Sequence, residues 1–123
     1  MTAFASGGQV MCGAEGRVHV RIWGELHYIC PEDLGRLLFV GERVSLFKKG
    51  PAPEEVPQVS GSVCLSPSGR AVIISTGNQR YMLPRDRFLA VALGEEISCI
   101  FFEVPSDTPD SEILPASKGG IAP

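Results

Sequence analysis

"GELHYICPED" runs from Gly24 to Asp33, and "GNQRYMLPRD" runs from Gly77 to Asp86. Glycine, tyrosine, proline and aspartate stand at the same places in both stretches. The match extends outward without a gap, residues 8–50 onto 61–103, and keeps Gly8/Gly61, Val10/Val63, Gly16/Gly69, Arg17/Arg70, Gly41/Gly94, Glu42/Glu95 and Ser45/Ser98. Apolar positions agree too, at Val20/Ile73, Ile29/Met82, Leu38/Val91 and Val44/Ile97. Turn-forming residues and apolar periodicity coincide, as a duplicated supersecondary unit predicts.

Each copy reads as β-β-β-α-β. A short strand (Gln9–Cys12 or Ser62–Leu65) precedes a turn that ends in glycine, where positive φ is expected. A strand rich in β-branched residues follows, Arg17–Trp23 or Arg70–Thr76. Gly24-Glu25 and Gly77-Asn78 are the expected two-residue hairpin turns. Pro31 and Pro84 then open a helix, since proline lacks only an N–H that would have no partner at the first helical position. Leu34, Leu37 and Leu38 share one helix face, as do Phe88, Val91 and Ala92. Gly41 and Gly94 fit the glycine that ends a helix. A last strand closes each unit, Arg43–Lys48 or Glu96–Val104.

A unit this short rarely folds alone. The fold expected is mainly β (α+β), a small barrel or sandwich-like core of two tandem units with pseudo-twofold symmetry, its two short helices capping the open ends. The order hairpin, helix, strand, used twice, resembles the halves of cradle-loop and double-psi barrels in topology. Residues 1–104 form one domain, with a proline-rich linker at 48–59 and a flexible Pro/Ser/Gly acidic tail at 105–123. The 123 residues suffice for one such core, with 44% hydrophobic and 20% charged residues.

Net charge is −3, and Asp107, Asp110 and Glu112 lie in the tail. A near-neutral body has no long-range field to gather nucleic acid or an anionic membrane. The first residues lack a charged, then apolar, leader, and no apolar run approaches a membrane span. A soluble cytoplasmic protein is expected. Cys12, Cys30, Cys64 and Cys99 are far apart in sequence and sit in apolar runs, so they read as reduced, buried side chains rather than zinc ligands. No cofactor or metal is expected.

The two copies differ in chemistry on one hairpin face and at the end of the unit. Arg17, His19, Arg21, Trp23 and Tyr28 share a face in copy one, where the gapless match puts Arg70, Val72, Ile74, Thr76 and Tyr81 in copy two. Trp, Tyr and Arg are the enriched anchors of protein interfaces. The five residues are the candidate binding site of a non-enzymatic binding or assembly module, self-associating as a homodimer or larger homo-oligomer. One alternative is a nucleic-acid or anionic-ligand binder that uses the same face for stacking and phosphate contact. Another is a small enzyme, because a Gly24-Glu25 turn would set His19 opposite Cys30 as a base and nucleophile. No phosphate loop, nucleophile elbow or metalloprotease motif is present. Finally, Lys48 and Lys49 align with Phe101 and Phe102, and "CIFFEV" is apolar on both faces, so it should be covered on both, as a central strand or in a dimer seam.

Overall fold

The computed structural model describes residues 6–13, 17–48, 58–77 and 79–105. Eight strands form a closed antiparallel barrel in which each strand pairs with its neighbours in sequence and β8 returns to β1. The strands are β1 (Ser6–Cys12), β2 (Val18–Ile22), β3 (Glu25–Ile29), β4 (Val44–Lys48), β5 (Gln58–Leu65), β6 (Ala71–Thr76), β7 (Gln79–Pro84) and β8 (Ser98–Val104). Helix α1 (Pro31–Gly35) runs on into a π-helical turn (Arg36–Val40) between β3 and β4. Helix α2 (Arg85–Ala92) joins β7 to β8. This plain meander is a simpler order than that of the barrels the repeated unit resembles. In a meander both helical connections fall at the same end, so the helices cap one mouth together rather than one each. Arg85 Nη2 donates to the Leu38 carbonyl at 2.7 Å and ties the two caps.

The period-2 pattern fills the inside. Val10, Val18, Val20, Ile29, Leu46, Val63, Val72, Ile74, Leu83 and Phe101 are buried in one core cluster, with Leu37, Phe88 and Val91 packed onto it from the helices. Eight strands leave an interior that side chains just fill. Burial of this apolar surface, at about 25 cal/mol per Å², is the main stabilising term. A smaller cluster lies on the outside of the second half, where Ala71, Ile73 and Val104 are buried with Cys64 and Met82 against them.

The order of elements in the first half recurs in the second, but residues do not correspond at one constant spacing. Val10 pairs with Val20 and Cys99, and Val63 pairs with Ile74 and Val44. The β2–β3 hairpin therefore maps onto β6–β7 one residue further along than the gapless match, because the β5–β6 turn is one residue longer. The π-helical turn holds one extra residue in the first half, which brings Gly41 and Gly94 back to the original spacing. Both glycines have φ near +80°, as a left-handed helix end requires. The loop before β8 then adds two residues. Consequently Leu46 and Phe47, not Lys48 and Lys49, correspond to Phe101 and Phe102.

Two expectations change with this register. The first hairpin turns at Trp23-Gly24, with φ 48° and 88°, not at Gly24-Glu25. Positive φ at both turn residues is the backbone whose twist suits a two-residue hairpin. In α2 the proline is one step earlier than expected: Pro84 is the residue before the helix, and Arg85 is its first. The apolar β8 is a strand in a closed barrel, so it has no open edge. Its inward Cys99 and Phe101 are buried, while outward Ile100 and Phe102 are exposed. Gln58 and Val59, placed in the linker by the sequence, belong to β5, and Lys48, where the expected strand and linker overlapped, belongs to β4; residues 49–57 and the tail from 106 lie outside the described residues.

Candidate functional site

Alternation along β2 turns Val18, Val20 and Ile22 inward, and His19 and Arg21 outward. The register sets His19 across from Tyr28, Arg21 across from Leu26 and Val20 across from His27. The faces expected from sequence are thus correct, but the pairing is slid by two residues. His19 does not face Cys30, so the base–nucleophile pairing behind the enzyme alternative is absent. Burial, together with Glu32 and Asp33, also pushes the Cys30 thiol up, the wrong direction for a nucleophile. Of the other cysteines, Cys99 is buried, Cys64 is half-buried and Cys12 is exposed, and none of the four is bridged.

Arg17, His19, Arg21 and Tyr28 do share the outer face of β2 and β3. The Arg17 guanidinium lies 4.8 Å from the Tyr28 ring centroid. Phe47 of β4 stacks on the same tyrosine, centroids 5.7 Å apart. Tyr28 is only 7% exposed as a result. The His19 ring lies close against Gly13, where a Cβ would come within 2.9 Å of it. Trp23 departs from the group. It sits on the turn at the barrel end, exposed, and its Nε1 donates to the Tyr81 hydroxyl at 3.2 Å.

The gapless match compares the outside of one hairpin with the inside of the other. Val72, Ile74 and Tyr81 point into the barrel. The true counterparts of Arg17, His19, Arg21 and Tyr28 are Ala71, Ile73, Ser75 and Met82. The first half's outer face is still the more polar of the two, and the second half's is the buried apolar cluster.

A second polar group lies inside the mouth opposite the helices. His27 of β3 is 4% exposed and its Nδ1 is 2.7 Å from the Ser60 hydroxyl. Its Nε2 is 3.8 Å from Glu25 Oε1, and Lys48 Nζ bonds Glu25 Oε2 at 3.1 Å. Burial holds the His27 pKa below the ordinary value; Glu25 opposes this and Lys48 reinforces it. Ser60 reaches inward because it is the extra residue of a β-bulge: Leu46 pairs with Gly61 and Phe47 with Val59, which leaves Ser60 unmatched. Strand alternation with Ile29 puts His27 on the core face, but the sequence carries no signal for its partner. Among the described residues, no three His, Cys, Asp or Glu side chains gather as metal ligands would.

No family model matches the chain, and comparison with curated proteins and with solved structures gave no match either. No helix among the described residues is long and apolar enough to cross a membrane.

Proposed function

We propose that this chain is a binding or assembly module that acts through the outside of its barrel and associates with a second copy of itself. The observation that carries this reading is a run of exposed apolar side chains beside the polar, aromatic face. Ile97, Ile100 and Phe102 are 85%, 50% and 37% exposed. Ile100 pairs with Gln9, and Gln9 with Arg21, so the apolar strip of β8 runs across β1 into the Arg17–Tyr28 face. A contiguous apolar patch flanked by arginine and aromatic residues is the composition of an interface core and its rim. The packed interior leaves the outer surface as the place for a partner. A cytoplasmic setting suits four unbridged cysteines.

The nucleic-acid alternative has less support. It needs an accessible ring beside the arginines; Tyr28 is buried under Arg17 and Phe47, and the exposed Trp23 sits apart on the turn. Light scattering tests the main reading. The unaltered protein is expected to run as a dimer, and Ile100→Glu or Arg21→Ala to shift it toward the monomer. A monomeric unaltered protein, or a dimer indifferent to both changes, rejects the surface.

A further inference from the structure

We infer that Ser60 is a nucleophilic hydroxyl, able to accept an acyl group from a small ester, with His27 as its base and Glu25 as the residue that positions that base. This goes beyond the outer-face reading and uses residues on the other side of the sheet.

The Ser60 hydroxyl has two acceptors in reach, His27 Nδ1 at 2.7 Å and the Leu46 carbonyl at 3.3 Å. A neutral imidazole carries one proton, on one nitrogen only. The Glu25 carboxylate, 3.8 Å from Nε2, favours the proton there. Nδ1 is then bare and takes the hydroxyl proton along the shorter contact. The result is a hydroxyl hydrogen-bonded to an imidazole, with a carboxylate 3.8 Å from the imidazole's far nitrogen, the three groups by which a weak alcohol is activated. Burial favours the neutral imidazole, the form that can accept a proton. The bulge supplies the remaining element, since it turns Ser60 toward the histidine at a half-buried position. Glu25 and Lys48 are 58% and 46% exposed and form the solvent side of the cluster, from which a small reagent approaches.

The step balances as follows. Ser60 Oγ bonds to the ester carbonyl carbon while its proton passes to His27 Nδ1. The carbon–oxygen bond to the alcohol then breaks, and the departing alkoxide takes the proton from Nδ1. The products are acyl-Ser60 and free alcohol, with His27 neutral again. With a fluorophosphonate the bond formed is Oγ–P, the bond broken is P–F, and fluoride leaves.

The experiment is labelling of the full chain with a fluorophosphonate probe and with 4-nitrophenyl acetate, the modified residue being mapped by mass spectrometry. Ser60 is expected to be the single serine modified. The rate should rise with pH and level off below the ordinary histidine midpoint of about 6.5. His27→Gln should slow it by about 100-fold, the scale of general-base assistance. Glu25→Gln should move the midpoint of the rate profile down and Lys48→Met should move it up, readouts that a packing role for either residue would not give. Circular dichroism on each variant confirms the fold, and the Glu25 and Lys48 variants keep the test open should His27→Gln unfold. Unmodified Ser60, modification spread over several serines, or a rate independent of His27 overturns the assignment.

Discussion

His27 and Tyr81 hold the same place in their two halves and answer the same problem differently. Each points into the barrel near the open mouth, across from Val20 and Ile74 respectively. In the first half the space is filled by an imidazole, and the bulged Ser60 comes in to meet it. In the second half it is filled by a tyrosine that tilts against Phe101, centroids 5.3 Å apart. There the matching bulge, between Ser6 and Gly8, carries Gly7 and no side chain. A phenol is long enough to reach the rim, where Trp23 of the first half bonds its hydroxyl. An imidazole is shorter and must be met inside. One half therefore fills its mouth with a tilted aromatic pair, and the other with a hydrogen bond between a buried imidazole and a half-buried serine.

The comparison can be broken hardest at the caps. Phe88 and Leu34 are the fourth residues of α2 and α1. Phe88 is fully buried, and Leu34 is only partly so. Phe88→Ala should lower stability by about 3–5 kcal/mol and Leu34→Ala by clearly less, read from urea denaturation. Equal losses would mean the caps bear equally on the core. Next come the bulges. A Cβ on Gly61 would collide with the Ser75 carbonyl, which is fixed backbone. Gly61→Ala should therefore cost about 1–3 kcal/mol, whereas a Cβ at Gly24 meets nothing within 4 Å. Gly24→Ala, at a positive φ, should cost only about 1 kcal/mol.

The third test uses acid. With its pKa lowered in the folded protein, His27 gives stability that is present above its unfolded value, about 6.5, and is lost as pH falls from there toward the folded value. His27→Tyr, which copies the second half, should flatten the dependence of stability on pH over that interval. An unchanged slope would show that other groups set it. The smallest effect belongs to the rim. Trp23→Phe removes the bond to Tyr81 and should cost about 1 kcal/mol. Because Trp23 is the sole tryptophan, Tyr81→Phe should shift its emission without abolishing the fold.

Much of this architecture could be read from residues alone. Apolar alternation gave all eight strands, and the glycines at 41 and 94 marked both helix ends correctly. What escaped was spacing. A left-handed tryptophan is rare enough that Gly24 seemed the natural first turn residue; the conformation persists here in a turn that needs positive φ twice. The two residues before β8 leave the last strand shifted by two, whereas the longer β5–β6 turn and the extra residue of the π-helical turn cancel, so a gapless match survived across a hairpin that is out of step. Its cost fell on Tyr28 and Tyr81, which match in sequence and point to opposite sides of the sheet. The candidate face was legible as four outward residues. The His27–Ser60 contact was not, because it depends on a bulge, and nothing in Val59-Ser60-Gly61 announces which way a bulged side chain will turn.

The seam between β1 and β8 joins the first and last strands of the described residues. A ribosome making this protein releases β1 long before its second neighbour exists. Until Ser98–Val104 emerges, both β1 and β7 present unpaired edges to other nascent chains. Closure waits on the strand pair most distant in sequence, so the barrel should fold slowly for its size and depend most on chaperoning until β8 is made.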